Sequence, residues 1–149
     1  MSKIEQIVTP EVSEPNPNIF SNCLKVGDQV FLSGMTAGDN AGGLLGDGSP
    51  EDQARQCLTK IESLVKEAGG TRKDIVKLTI YLTDIHHRVE FGKVREEFFQ
   101  EVMPCSTLIE VSGFVQPEIT VEVDAVAIIG AGGLEEQRWA KKRKRSAKD

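Results

Sequence analysis

Cysteine, histidine and long apolar runs are all scarce in this 149-residue chain, and each scarcity removes a class of function. Three cysteines, Cys23, Cys57 and Cys105, are too few and too scattered for a disulfide framework, and no C-x-x-C pair accompanied by histidines suggests zinc. They read as reduced thiols. The two histidines, His86 and His87, are adjacent, so on a helix they point about 100° apart and cannot form a two-ligand face. A metal site is not expected. No apolar run approaches the ~20 residues that cross a bilayer. The opening MSKIEQIVTPE lacks the long apolar core of a signal peptide, so a cytoplasmic protein is expected.

The length is that of one ordinary domain, and a chain of this size buries roughly two thirds of its unfolded surface, enough for a single core. A content of 39% hydrophobic and 28% charged residues is that of a soluble globular protein. Charge is unevenly spread. The last twelve residues, RWAKKRKRSAKD, hold seven of the 18 basic side chains and one of the 23 acids, leaving 11 basic against 22 acidic groups elsewhere. A body that acidic is a poor default partner for nucleic acid. Residues 131–149 read as a basic, disordered tail on a domain at 1–130. RNA contact, nuclear targeting and plain solvation all stay open for that tail.

Ile19 to Ser33 reads as a hairpin, IFSNCLKV and QVFLSG about a Gly27-Asp28 turn, with Ile4 to Thr9 a weak strand before it. Met35 to Ser49 carries five glycines and is long enough to be a functional lid or rim. Ser49 then marks a helix start as N-cap, with Pro50 in the first helical position and Asp52 three residues after the cap. Ala54, Leu58, Ile61, Leu64, Val65 and Ala68 form the stripe of an amphipathic helix that Gly69-Gly70 ends. A strand follows from Ile75 to Leu82. From His86 to Val102 a second helix is expected, with Val89, Val94, Phe98 and Val102 inward, and Pro104 opens a closing pair of strands. The order β-β-β-α-β-α-β-β predicts an α+β domain, one mixed six-stranded sheet carrying two helices on one face. Nothing remains to cover the other face, so self-association into a closed symmetric oligomer is expected.

Chemistry concentrates between Pro104 and Ile129, where two alternating runs bracket a Gly/Pro-containing turn. In the second run Val121, Val123, Ala125, Ala127 and Ile129 share one face, so Glu122 and Asp124 project from the other beside Val126 and Ile128. A carboxylate inside an otherwise apolar strand must find hydrogen bonds, ionise abnormally or line a wet cleft. The pattern leaves that reading level with a plainer one, an acid on the solvated face of an edge strand.

The hairpin IFSNCLKVGDQVFLSG, the run DQARQCLTKIESLVKEAGGTRKDIVKLTIYLTDI and the closing VEVDAVAI together resemble the RidA/YjgF family of reactive-intermediate deaminases, in uninterrupted order from Pro17 to Ile129. The resemblance implies a chorismate-mutase-like fold and a homotrimer with a ligand cleft at each subunit interface. It also implies hydrolysis of short-lived enamines and imines to ketone and ammonia, without metal or organic cofactor. Glu122 falls on the family's cleft glutamate, which positions or activates water. Ser33 and Gly34 fall on the strand-end pair whose backbone faces the cleft, and Phe20 takes the place of a cleft tyrosine. Three further positions depart from the family pattern. Ser106 stands where typical imino-acid deaminases carry the arginine that clamps the substrate carboxylate, Leu108 where they have a cysteine, and Gly92 where they have an asparagine. Cys105 does not replace that thiol, because an odd offset puts it on the opposite strand face.

A guanidinium holds a carboxylate through charge-assisted hydrogen bonds, each worth roughly 1.5–3 kcal/mol, whereas a serine hydroxyl offers one neutral bond. Unless Arg88, Lys93 or Arg95 of the second helix reaches in, efficient turnover of 2-iminopropanoate-type substrates is not expected. Leu108 and Phe20 favour a larger, uncharged or differently anchored ligand. Glu122 is the expected proton shuttle, with Ser33, Gly34, Ser106 and Thr107 as polar anchors. Ser106 and Thr107 read equally well as ordinary strand residues, and Phe20 and Leu108 as interface packing. Three functions stay open: a deaminase for an enamine or imine outside the short 2-imino acids, a ligand-binding trimer without chemistry, and an RNA-acting or translation-inhibiting protein of the kind described among relatives.

Overall fold

The computed structural model describes residues 3–17 and 19–133, so the basic run at 138–149 lies outside the described residues. In chain order the elements are β1 (Glu5–Gln6), β2 (Cys23–Val26), β3 (Gln29–Met35), α1 (Pro50–Glu67), β4 (Ile75–Leu82), α2 (Arg88–Phe98), β5 (Cys105–Glu110) and β6 (Val121–Ile128), with 3-10 turns at Arg72–Asp74 and Ile85–His87. The strands form one six-stranded sheet in the order β1-β2-β3-β6-β4-β5. Among the described residues only β4 and β5 run parallel, which makes the sheet mixed. This is the expected α+β architecture. No helix among the described residues is long and apolar enough to cross a membrane.

Local chemistry accounts for most boundaries. Gly27, at φ +59, turns β2 into β3. The Ser49 hydroxyl accepts from the Asp52 N–H at 3.2 Å and so caps α1, with Pro50 in the first turn where its missing N–H costs nothing. Asp52 does not reach back to complete a capping box. Its carboxylate accepts instead from the Asp47 N–H at 3.0 Å, while the Ser49 N–H donates to Asp47 at 2.8 Å. Gly69, at φ +98, ends the helix, and the Gly70 N–H donates to the Val65 carbonyl at 2.9 Å.

Alternation decides which face of the sheet is buried. Val121, Val123, Ala125 and Ala127 of β6, with Leu78, Ile80 and Leu82 of β4, pack against Leu58, Ile61 and Leu64 of α1 and against Phe91 and Val94 of α2. The second helix is shorter than its periodicity predicts and is turned. It stops at Phe98, so Val102 falls in the following loop and is 88% exposed. The 3-10 turn at Ile85–His87 shifts the phase of the helix, so Phe91 is buried and Val89 is exposed. Among the described residues the opposite face of the sheet carries no helix, and Phe31 and Ile128 are exposed on it.

The closing strands do not pair with each other. After β5, which joins β4 as a parallel edge strand, the chain returns to insert β6 between β3 and β4. Glu122 therefore rides on a central strand, and the solvated-edge reading of it does not hold. One buried polar side chain ties that return to α1. Gln53, fully buried, donates to Gly48 O at 3.0 Å and Glu118 O at 2.9 Å and accepts from the Thr120 N–H at 2.9 Å. Gln53→Leu leaves these partners without their bonds, each at about 1–3 kcal/mol, and urea unfolding is expected to show that loss as a lower midpoint with an unchanged slope.

Candidate functional site

The site begins at an irregularity in β3. Leu32 pairs with Ala125 and Met35 with Val123, so Ser33 and Gly34 together oppose Asp124 alone. This bulge brings the backbone of Gly34 under the Glu122 side chain. A Cβ at Gly34 would lie 2.7 Å from the Glu122 carboxyl carbon, so only glycine allows the approach. Ser33 is held by the same bulge: its hydroxyl donates to Ser21 O at 2.6 Å and its N–H to Asn22 O at 2.9 Å.

Glu122 and Gly34 line a cavity of about 560 Å³ together with Phe20, Asn22, Lys60 and Gln116. Burial, with the Asp124 carboxylate beside it, raises the Glu122 carboxyl above its ordinary value. Asp124 is in turn fixed from β4, where the Tyr81 hydroxyl donates to its Oδ2 at 2.9 Å. Tyr81 lies directly across from Glu122, and its own hydroxyl is raised, chiefly by that bond. Lys60 reaches the cavity from α1 and donates to Thr36 O at 2.7 Å and Gly38 O at 2.8 Å. Burial lowers its ammonium below the ordinary value. Burial pushes the Cys57 thiol up to about 12, so it stays protonated. Among the described residues no three His, Cys, Asp or Glu side chains converge on a possible metal position.

The other residues singled out from the sequence lie elsewhere on the chain. Gly92, Ser106, Thr107 and Leu108 sit on α2 and the edge strand β5, which β4 separates from β6. Thr107 faces away from the helices beside Thr79, and Leu108 packs against the core. A Cβ at Gly92 would meet open space. Of the three cations considered on α2, Arg95 is the one that reaches Ser106, with Nη1 donating to Oγ at 3.2 Å and the guanidinium 5.7 Å from the Phe91 ring centre. Arg88 instead turns back to Ile85 O at 3.5 Å. One chain thus gathers Phe20, Gly34 and Glu122 in one cavity and holds Gly92, Ser106, Thr107 and Leu108 at the far edge of the sheet. A larger cavity of about 620 Å³, between Phe98, Met103 and Ala131, contains none of these residues.

Sequence reasoning missed Lys60 and Tyr81. Lys60 follows Cys57 by three positions and flanks the inward stripe of α1, the one hint that its stem enters the protein. Tyr81 had no signal beyond its place on the polar side of β4.

The endoribonuclease L-PSP family model matches residues 12–129. A Pseudomonas aeruginosa protein of unknown function has a crystal structure similar to this fold at TM-score 0.78 and 36% identity, covering 87% of this chain and 94% of that one. RidA from an Antarctic Psychrobacter is similar at TM-score 0.74 and 26% identity, covering 84% and 99%. The bovine protein named 2-iminobutanoate/2-iminopropanoate deaminase is 27% identical over 129 residues, 87% of this chain and 93% of its own length.

Proposed function

The chain belongs to the endoribonuclease L-PSP family, that of the RidA/YjgF proteins, and from this membership we propose that it hydrolyses enamines or imines to ketone and ammonia as a homotrimer. The observation that carries this reading is Glu122, a half-buried carboxyl raised above its ordinary value by burial and by Asp124, laid over Gly34 at the wall of a cavity large enough for a small metabolite. Hydrolysis of an imine, in which water replaces the C=N bond with a C=O bond and releases ammonia, needs protons both given and taken. Protonated Glu122 donates to the enamine carbon or imine nitrogen. As the carboxylate it then takes a proton from the water adding at the C=N carbon and returns it to the amine nitrogen; as the C–N bond breaks and ammonia leaves, it takes the hydroxyl proton of the carbinolamine, so that C=O forms and the carboxyl is protonated again. A group poised near the working pH is the most effective at giving and taking protons alike.

Assembly supplies the rest of the cleft. The helix-free face of the sheet presents Phe31, Val126 and Ile128, a patch suited to burial against a second copy. In such a trimer the Glu122 cavity of one protomer meets Gly92, Ser106, Thr107 and Leu108 of its neighbour. Phe20, 55% exposed on the cavity wall, is left for that neighbour to cover. Light scattering is expected to give three times the 16.3 kDa chain mass, and a lone chain in solution would remove the shared cleft. The domain is the segment 1–130, and the basic tail takes no part in the chemistry.

The absence of an arginine at Ser106 directs the substrate away from the short 2-imino acids named for the bovine relative, and the Arg95 guanidinium that donates to the Ser106 hydroxyl is the one cation of α2 in position to offset that loss. The same serine favours a second reading, a trimer that binds a ligand and has lost turnover. A coupled ammonia-release assay on imines and enamines generated in situ separates the two. Release above the solvent rate is expected, and saturable binding without release would leave only the second reading.

A further inference from the structure

The wall of the Glu122 cavity carries a second charged group that the proposed proton transfers leave unused. Lys60 enters from α1, and two of its three N–H bonds go to the carbonyls of Thr36 and Gly38. A tetrahedral ammonium then has one donor left for an acceptor. Among the described residues no carboxylate lies within ion-pair distance of it. Asp39, whose charge acts on Lys60, is already engaged by the N–H groups of Ala41 at 2.8 Å and Gly43 at 2.9 Å. Glu14, on the same wall, faces Asn22 Nδ2 at 3.5 Å. Nor is Lys60 paired with Glu122, whose shift comes from burial and Asp124. The two residues grip different points of the chain. Glu122 lies over Gly34, and Lys60 holds carbonyls two and four residues further on, past the end of β3 at Met35.

We propose that Lys60 is the anchor for an anionic group of the substrate, a carboxylate placed at the end remote from the C=N carbon that Glu122 serves. The inference rests on the deaminase reading of this cavity and gives it a substrate class, imines or enamines with a distal carboxylate. The positive charge sits on a helix inside the protomer, fixed by two backbone carbonyls before any ligand arrives. That pre-organisation lets the ion pair form with little further ordering.

The test compares ammonia release from imines made in situ from glutamate and from glutamine, equal in length but ending in a carboxylate or a carboxamide. Lys60→Met is expected to raise KM for the carboxylate-ended imine about tenfold or more and to leave the carboxamide within about twofold, while Lys60→Arg retains most of the preference. Lys60→Gln, which removes the charge but keeps a side-chain donor on the Thr36 and Gly38 side, guards against a folding defect and should show the same selective loss. Equal effects on both substrates, no effect, or a selective loss in Arg95→Gln instead would overturn the assignment. Glutarate provides a readout without turnover: it should raise the Tm of the wild type and not of Lys60→Met. Glutarate stabilisation that depends on Lys60 in a protein releasing no ammonia would end the deaminase reading and leave the anchor standing.

Discussion

Glu122→Gln is expected to lower kcat for ammonia release by about 10²–10⁴-fold, the usual contribution of a positioned general acid/base, with fold and oligomer unchanged. Glutamine matches the shape of glutamate and can still touch Gly34, but it cannot carry a proton. The pH dependence of kcat/KM should show one ionisation above the ordinary carboxylate range in the wild type and lose it in the variant. Stability gives an independent reading of the same group. Because burial and Asp124 raise this carboxyl, the folded protein holds its proton more tightly than the unfolded chain does. The resulting stabilisation is complete below the ordinary carboxylate range and is lost as pH rises through the raised value. Above it the ionised side chain disfavours folding, a cost that glutamine does not carry. Urea unfolding at neutral pH should therefore find Glu122→Gln at least as stable as the wild type. A variant that keeps its turnover would remove Glu122 from the chemistry.

Gly34→Ala should cost about 10²-fold in kcat/KM, the scale of a catalytic group displaced by roughly an ångström. Gly34 does not occupy the left-handed region, so alanine brings no backbone strain there. Its methyl group instead overlaps the Glu122 carboxyl and must push it from the cavity wall. The loss is thus expected in activity far more than in stability. Adding Glu122→Asp to Gly34→Ala draws the carboxyl back by one methylene. If displacement is the cause, the double variant exceeds the product of the two single effects in a mutant cycle of kcat/KM. Full activity in Gly34→Ala would mean that the carboxyl works from some other position.

Helix α1 was readable because its signals are local: Ser49, Pro50, the apolar stripe and Gly69-Gly70 each act within a few residues of their own position. Strand β4 was equally plain, with alternation running from Ile75 to Leu82. The second helix was readable in existence and not in its ends, because Val102 keeps the apolar period after the backbone has left the helix at Phe98. Asp52 matched a capping pattern that the Asp47 backbone outcompeted. Within the candidate site, Glu122 stood out as a charge in an apolar strand. Lys60 resembled any helix lysine, since its two acceptors belong to a loop more than twenty residues earlier.

The order of residues is enough to establish the element sequence, the two-layer α+β arrangement, the family and the acid at position 122, because periodicity, caps and turn chemistry are short-range. Folding in three dimensions decided that β6 lies at the centre of the sheet, that a bulge carries Gly34 under Glu122, and that Lys60 closes the same cavity. Those outcomes depend on pairings between residues far apart in the chain, whose energies become real only once the backbone has brought them together.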